Sequence, residues 1–344
     1  MAAAAIMGAA ARWLRRLAAT CVGLATAGPC TVLLLQRSPQ LARRIRDNPP
    51  LFKLYLERCW WPFCFYRRWF LLTRIRQEQR QCLYVHVASV DGEPDMEPER
   101  RETCLLPPPP PGTARLVFIS DTHRTEAWLN LPPGDVLVHC GDALLEDRDE
   151  GQRSVDAFAD FARWFQRQPH KHKLLIAGNH DAVLERLGPS GVQEILSAAA
   201  PGPDRGGALY LRDSTATLRI DGRALTVAAA PYSNANSAAS ANRAYQGGVE
   251  GLVDWLVTLG PAPDASAAPL DLLLTHGPAD ALGDWVGAHQ PRLHAYGHVH
   301  SAYGATWRHH RQGRSTFVLN AALADKAYAP MNPPIVVDLR LLSP

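Results

Sequence analysis

From residue 114 onward the sequence repeats one local pattern, a short apolar run that ends in a polar motif. Runs of this kind, rich in β-branched residues, are typical of strands that are covered on both faces. A buried strand that ends in polar residues delivers them to a loop at the edge of its sheet. The first three runs are ARLVFIS (114–120), GDVLVHC (134–140) and KLLIAG (173–178).

Helical spacing separates two of these runs. Within residues 154–168 apolar side chains recur at intervals of three and four, which predicts a helix with one buried face. That face comprises Val155, Phe158, Phe161, Ala162 and Phe165. Residues 208–232 instead contain consecutive short strands with an Asp-Gly turn at 221–222, which predicts a second sheet with more antiparallel pairing. Alternating strands and helices predict an α/β fold of stacked layers.

Five polar motifs lie where predicted strands end. Because residues i and i+2 of an extended segment point to the same side, Asp121 can present its side chain together with His123. The same spacing pairs His298 with His300. In chain order the motifs are Asp121-Thr122-His123, Gly141-Asp142, Gly178-Asn179-His180-Asp181, Thr275-His276-Gly277-Pro278 and Gly297-His298-Val299-His300.

Taken together, the five motifs predict a metal site. Each motif alone recurs by chance in turns and strands, where a histidine is usually a hydrogen-bonded core residue. In this order, and each at a strand end, they indicate one pocket of ligands. Nitrogen and oxygen ligands without thiolate suit Mn, Fe or Zn and disfavour a structural cysteine-zinc site. Glycines that precede Asp142, Asn179 and His298 suit turns where the backbone passes close to such a pocket.

These motif blocks resemble the calcineurin-like metallophosphoesterase superfamily over roughly residues 115–340. Within it they are most similar to metallophosphoesterase-domain-containing proteins related to class III cyclic-nucleotide phosphodiesterases, a subgroup that the short spacing of 21 positions from Asp121 to Asp142 also fits. The valine-aspartate-arginine-glycine run of serine/threonine phosphatases is absent after Asp142, which argues against protein phosphatase activity. The blocks that carry the resemblance are SDTHRT, LPPGDVLVHCGD, IAGNHD, LLLTHGPAD, LHAYGHVHSAYG and TFVLNAAL.

The resemblance implies a four-layer αββα sandwich that holds two divalent metal ions (Mn, Fe or Zn). Asp142 would bridge the two ions. The ligands implied for the first ion are Asp121, His123, Asp142 and His300. The ligands implied for the second ion are Asp142, Asn179, His276 and His298.

The reaction that the resemblance implies is hydrolysis of a phosphodiester or small phosphomonoester by attack of a metal-bridging hydroxide. Two cations about 3.5–4 Å apart lower the pKa of a shared water and neutralise phosphoryl oxygens. Asp142 and His180 would then be the catalytic residues, with His180 stabilising the transition state or protonating the leaving oxygen. The expected partner is a small phosphate-ester substrate, and no substrate-binding residue is assigned. Small polar residues at 231–248 favour hydrogen bonds to that substrate over an aromatic wall.

Three further residues, one at the end of the third motif and two inside predicted strands, each have two alternative roles. Asp181 either orients a neighbouring group or serves as a turn or helix cap. His139 and His294, which lie inside predicted strands, either support the ligands or pack in the core.

Residues 1–80 differ in composition from the rest of the chain. They hold fourteen Lys or Arg against three acidic residues, a net charge of +11, so the overall +3 leaves −8 for residues 81–344. The nineteen uncharged residues 17–35 just suffice to span a bilayer, whereas seven arginines and no acid in the first 46 residues also suit an organellar targeting sequence. Arginines and aromatics interleave at 60–76, as in interfacial membrane segments or in a helix packed on a domain.

We therefore expect a basic, partly hydrophobic and mostly helical N-terminal targeting or membrane segment at 1–80. Membrane association would run through residues 13–76, and the protein would be membrane-associated or organellar with a soluble catalytic domain. Whether the segment is an anchor, a removed targeting sequence or an ordinary amphipathic helix stays open.

Residues 81–113 are expected to connect this segment to the metallophosphoesterase domain at 114–344. They are acidic at 91–106 and then carry the run Pro107–Pro111, which favours a stiff extended linker. The apolar stretch at 82–90 suits a strand that belongs to either neighbour. Only Cys140 of the seven cysteines follows the proline run, which excludes a disulfide framework for the domain.

Two alternatives from other functional classes remain at this point. A membrane-tethered scaffold that kept the fold and lost catalysis should lack ligands, and here the set is complete. A nuclease needs a basic groove, whereas the part of the chain after residue 80 carries a net charge of −8. No nucleic-acid partner is therefore expected.

Overall fold

The computed structural model of the 344-residue chain describes residues 81–87, 98–145, 149–200, 202, 207–235, 242–246, 255–256, 270–278, 283–310 and 314–342. The strands and helices named below belong to one compact unit within residues 75–326 and 330–344. The segment predicted at 1–80, including the membrane association through 13–76, lies outside the described residues. Within the described ranges, no helix combines the length and the apolar character needed to cross a membrane.

The first sheet has seven strands and is mostly parallel. In sheet order these are β2 (Glu99–Glu102), β1 (Gln81–Val87), β13 (Ile335–Arg340), β3 (Thr113–Ile119), β4 (Val136–Cys140), β5 (His172–Ile176) and β6 (Ala208–Tyr210). Strands β3 to β6 are parallel neighbours, and β13 pairs antiparallel with β3 and parallel with β1. Every residue of β3 and β4 is buried, because both faces of the sheet are covered.

The second sheet has six strands, and its centre is parallel. In sheet order these are β11 (Gly304–Arg308), β12 (Thr316–Asn320), β10 (Leu293–Tyr296), β9 (Leu272–Thr275), β8 (Arg223–Ala230) and β7 (Ser214–Ile220). Among the strands that the structure describes, antiparallel pairing in this sheet is confined to its two edges, between β7 and β8 and between β11 and β12. The prediction of a more antiparallel sheet is therefore correct at the edges and wrong for the centre. It is also wrong for Ala208–Tyr210, because this strand is β6 of the first sheet and pairs parallel with β5. The predicted Asp221-Gly222 turn closes the β7–β8 hairpin, with φ of 49° and 81° as a type I′ turn requires.

Alternate residues of the central strands separate two apolar cores. Leu116 and Phe118 of β3 face the second sheet, whereas Val117 and Ile119 face helices α1 (Gln152–Arg167) and α2 (Ala182–Ala198). On the far side of the second sheet, Leu273 packs with Val286 of α3 (Gly283–His289). The layers thus run helix, sheet, sheet, helix, which confirms the predicted αββα sandwich.

The predicted buried face of α1 is confirmed for most of its length. Phe158, Phe161, Ala162 and Phe165 are fully buried, whereas Val155, in the first turn, is only partly buried. The aromatic side chains of this face cover the strands that lead to the polar motifs.

Residues 81–113, predicted as a connector, contribute two strands to the first sheet. The side chain of Arg115 in β3 donates to both oxygens of Asp338 in β13 at 2.7 and 2.6 Å, and the Tyr84 hydroxyl donates to the same carboxylate at 3.0 Å. Arg115 also donates to the Pro107 carbonyl at 2.7 Å, so the start of the proline run is held against this sheet. The strand left open at 82–90 is therefore β1 and belongs with the following domain. The division of the chain into three segments itself stays a prediction.

Candidate metal centre

The polar motifs follow the carboxyl ends of five strands, β3, β4 and β5 in the first sheet and β9 and β10 in the second. The structure brings all eight predicted side chains together at this edge. Seven of the eight are no more than 6% exposed, and the side chain of His300 is 13% exposed. The eight are Asp121, His123, Asp142, Asn179, His180, His276, His298 and His300.

The first cluster joins Asp121, His123 and His300. The Nε2 atoms of the two histidines are 3.3 Å apart, and His300 Nε2 is 3.2 Å from Asp121 Oδ1. His123 Nε2 lies 3.9 Å from the same oxygen. All three donor atoms thus lie close enough to one another to share one metal ion.

The second cluster is centred on the Asn179 side-chain oxygen. This Oδ1 lies 3.1 Å from His276 Nε2 and 2.7 Å from His298 Nδ1. Asp142 Oδ2 is 3.3 Å from His276 Nε2 and 4.0 Å from His123 Nε2. The Asp142 carboxylate therefore reaches both clusters.

The histidine tautomers fit metal ligands. The Nδ1 atoms of His123, His276 and His300 lie 2.8, 2.8 and 2.9 Å from the backbone carbonyl oxygens of Leu144, Cys140 and Asp325. A carbonyl can only accept, so each Nδ1 donates and each neutral ring directs the Nε2 lone pair into the pocket. In neutral rings the 3.3 Å contact between the His123 and His300 Nε2 atoms then joins two acceptors, which a cation satisfies and a hydrogen bond cannot.

Burial and neighbouring charges shift the pKa values of Asp142 and His276 in opposite directions. Burial acts to raise the pKa of Asp142, but the neighbouring His276 and His180 hold it well below its usual range. Burial likewise acts to lower the pKa of His276, and the charge of Asp142 raises it to about 9. Burial lowers the pKa of His298 to about 4, so this ring is neutral near pH 7 and ready to bind a metal.

Two glycines are required by close approach, as the sequence predicts. A Cβ atom at Gly178 would lie 2.2 Å from Asp142 Oδ1, and one at Gly297 would lie 2.2 Å from Asp121 Oδ2. Both distances are far below van der Waals contact, so any side chain at either position displaces a carboxylate of the site.

Asp181 proves to be a brace between two of the motif loops. Its carboxylate accepts the backbone N–H groups of Gly178 at 2.8 Å, Leu144 at 2.9 Å and Ala143 at 3.3 Å. It makes no side-chain cap to the helix that follows it. The contacts of Asp181 therefore match the orienting role and also a turn role, since its own N–H donates to Gly178 O at 3.0 Å, but not a side-chain cap.

His139 and His294 support the motif loops from inside the strands. His139 Nε2 is 3.0 Å from the Thr122 hydroxyl, and His139 Nδ1 accepts the Gly141 N–H at 3.2 Å. His294 Nε2 is 2.8 Å from the Thr275 hydroxyl. Because each ring contacts a residue inside or directly beside a ligand motif, the supporting role applies to both.

Asn242 also belongs to this site, although the sequence did not predict it. Its Nδ2 lies 2.6 Å from His180 Nε2, and the side chain is buried at 7% exposure. Asn242 lies 62 positions from His180 in a polar stretch without periodicity, and the only available signal was the general polarity of residues 231–248. His180 is also close enough to His123 and Asp142 to share a metal ion with them.

Known proteins resemble this chain in sequence and, at low similarity, in structure. Residues 114–302 match the family model described as calcineurin-like phosphoesterase. Metallophosphoesterase domain-containing protein 1 of Homo sapiens is 29% identical over 291 aligned residues, which cover 74% of this chain and 76% of that protein. A UPF0046 protein of Caenorhabditis elegans is 31% identical over 67% of this chain and 77% of its own length. Among solved structures, the sulfate thiohydrolase SoxB of Thermus thermophilus in complex with glycerol aligns with a TM-score of 0.40 and 13% identity, over 68% of this chain and 58% of that one.

Proposed function

Because the chain belongs to the calcineurin-like phosphoesterase family, we propose that it is a hydrolase of phosphodiester or small phosphomonoester bonds that works with two divalent cations. The observation that carries the proposal is the convergence of three carbonyl-tethered imidazoles with two carboxylates and one amide oxygen. When bound, two such cations supply an activated water and neutralise phosphoryl oxygens.

The proposed ligand roles follow from the two clusters. Asp121, His123 and His300 would hold one cation, and Asn179, His276 and His298 the other, with Asp142 shared. The support for a shared Asp142 is the reach of one carboxylate oxygen to histidines of both clusters. The nitrogen and oxygen donors suit Mn, Fe or Zn.

His180 is proposed as the residue that stabilises the transition state or protonates the leaving oxygen. Its backbone N–H donates to Asp142 Oδ1 at 2.8 Å, and its ring lies edge-on to the His123 ring with centroids 4.8 Å apart. The ring thus lies near His123 and the shared Asp142, which supports a role as a general acid on a bound ester. The ring contact with Asn242 supports a catalytic role for His180 over a role as a further ligand.

Hydrolysis of bis(p-nitrophenyl) phosphate and p-nitrophenyl phosphate tests the proposal. The full-length chain is assayed after chelation and again after addition of Mn²⁺, Fe²⁺ or Zn²⁺. We expect at least one of the two esters to be hydrolysed, and only when metal is added. This activity should be lost in His298→Ala. No turnover of either ester with any of the three metals, in protein that binds them, favours the alternative of a scaffold without catalysis.

A second proposal concerns location. We propose that residues 13–76 associate with a membrane or direct the chain to an organelle, on the basis of the uncharged stretch 17–35 and its flanking arginines. Fusing residues 1–80 to a fluorescent protein and fractionating the cells tests this. A fusion found entirely in the soluble cytosolic fraction would refute it.

A further inference from the structure

Asn242 makes a direct contact with the proposed acid. Its Nδ2 lies 2.6 Å from His180 Nε2, and its side chain is 7% exposed. The contact joins a buried amide to a buried imidazole, in surroundings where a hydrogen bond is strong and its loss is costly.

The short segment 242–246 that carries Asn242 is fixed by the rest of the fold. The Tyr245 backbone N–H donates to the carboxylate of Glu185 in α2 at 2.9 Å, and the Tyr245 hydroxyl is 3.0 Å from the Tyr210 hydroxyl in β6. The Arg212 guanidinium lies over the Tyr245 ring, 5.1 Å from its centroid. These anchors involve none of the predicted ligands, so the position of Asn242 is set independently of the metal site.

The imidazole of His180 needs such a support. The bond from its backbone N–H to Asp142 fixes the main chain but leaves the ring torsion to be set by side-chain contacts. With the amide nitrogen of Asn242 donating, Nε2 accepts and the proton of the neutral ring lies on Nδ1. In either orientation the amide occupies Nε2, so the contact leaves Nδ1 as the ring nitrogen that can exchange a proton with the leaving oxygen.

We propose that Asn242 is a positioning residue that holds the His180 imidazole in the orientation needed to act on the leaving oxygen of the phosphate ester. This inference rests on the proposed function for its catalytic consequence. Its structural part, the control of the ring by the amide, stands separately and has its own measurement.

That measurement is the tautomeric state of His180 in chelated, full-length protein labelled with nitrogen-15 at histidine. The signal is assigned by its disappearance in His180→Ala. We expect one neutral tautomer in the wild type and a mixture in Asn242→Leu, which keeps the branching and the number of side-chain heavy atoms and removes the hydrogen bond. Gln193→Leu is the matched control, because that amide bonds only to backbone groups of β6 and the Ser197 hydroxyl. An unchanged His180 signal in Asn242→Leu overturns the proposal whether or not any ester is hydrolysed.

The catalytic consequence is measured with a phenyl ester and a p-nitrophenyl ester that differ only in the leaving group. A phenyl ester needs protonation of its leaving oxygen more than a p-nitrophenyl ester does, so Asn242→Leu should lose about 10–100-fold in kcat/KM on the phenyl ester and less than about threefold on the other. In a His180→Ala background, Asn242→Leu should change the rate by less than about twofold, because residues that act as one unit are not additive.

The outcomes separate the two proposals. Equal losses on both esters that add to the effect of His180→Ala would show a merely structural role and overturn the positioning role of Asn242. Absence of hydrolysis by the wild type would instead overturn the proposed function, and the tautomer measurement would still decide the contact between Asn242 and His180.

Discussion

The brace formed by Asp181 gives the sharpest test of how the site is built. Its two carboxylate oxygens accept three backbone N–H groups, with Oδ2 serving Gly178 and Ala143 and Oδ1 serving Leu144. Gly178 precedes the proposed ligand Asn179, and Ala143 and Leu144 follow the proposed ligand Asp142. Replacing Asp181 with Asn keeps the shape of the side chain and removes one of its two acceptors.

The expected loss in the free energy of unfolding follows from the number of hydrogen-bond acceptors that remain. Asparagine has one oxygen, so at least one buried N–H loses its partner and faces an amide donor, at a cost of about 1–3 kcal/mol. An opposing effect is present, because burial and the charge of Asp142 raise the pKa of Asp181 to about 7 and the neutral amide relieves that repulsion. We therefore expect Asp181→Asn to lower the free energy of unfolding by about 1 kcal/mol, near the low end of that range. Since the loops of Asp142 and Asn179 lose their common support, metal affinity should fall about 10–100-fold.

Two measurements check this expectation, urea denaturation of chelated protein and metal titration against a competing chelator. Asp271→Asn is the matched control, because Asp271 is a buried carboxylate that accepts the Thr226 N–H at 2.8 Å and an Arg292 N–H at 2.9 Å. It lies at the amino end of β9, whereas His276 follows the carboxyl end. The control should lose stability and keep metal affinity. Wild-type metal affinity in Asp181→Asn, or an equal loss in Asp271→Asn, would refute the reasoning.

Three further predictions concern the pocket. Asp142→Asn should weaken both metal positions where Asn179→Ala weakens one, and a near-wild-type metal content in Asp142→Asn, measured by mass spectrometry, would disprove the shared carboxylate. Gly178→Ala places a methyl group 2.2 Å from Asp142 Oδ1 and should lower the stability by about 1–3 kcal/mol in thermal melts, whereas Gly287→Ala, with open space around its Cβ, should not be destabilising. Because the charge of Asp142 outweighs burial and raises the pKa of His276 to about 9, metal binding near neutral pH should release a proton from this ring, and the release should fade as the pH rises through about 9. Calorimetry in buffers of different ionisation enthalpy counts that proton, and constant release across this range would contradict the assignment.

The layers of the fold and the polar motifs could be predicted from the sequence because both follow from local residue patterns. A buried strand such as β3 is a continuous apolar run, and the residue pair Asp121 and His123 directly follows it, so the strand end marks the site. The resemblance to a known family then orders the motifs into one pocket. Local spacing also predicts the β7–β8 hairpin, because its turn is set by two neighbouring residues.

The pairing of strands and side chains that are distant in sequence could not be predicted from local patterns. The antiparallel interpretation of the second sheet was wrong for its centre because strand direction depends on the connections, and a short apolar strand has the same sequence pattern in either direction. Strand β1 could not be assigned to a sheet, since Tyr84 meets Asp338 across 254 positions. Asn242 and Asp181 share this difficulty. A single polar residue has no periodicity, and its role becomes visible only when the fold brings a partner such as His180 within hydrogen-bond distance.

The backbone of the site explains why such distant partners matter. Asp121, His123, Asp142 and His298 all have positive φ, between 45° and 63°, a conformation that costs a non-glycine residue of order 1–3 kcal/mol. Bonds between loops hold these conformations, since the Asp121 N–H donates to Gly141 O at 2.9 Å, the His123 N–H to Asp142 O at 3.1 Å and the His298 N–H to the Asp121 carboxylate at 2.9 Å. Each motif loop is thus braced by another motif loop. Because these bonds already hold the strained conformations, we expect that binding a cation would require little further rearrangement of the chain.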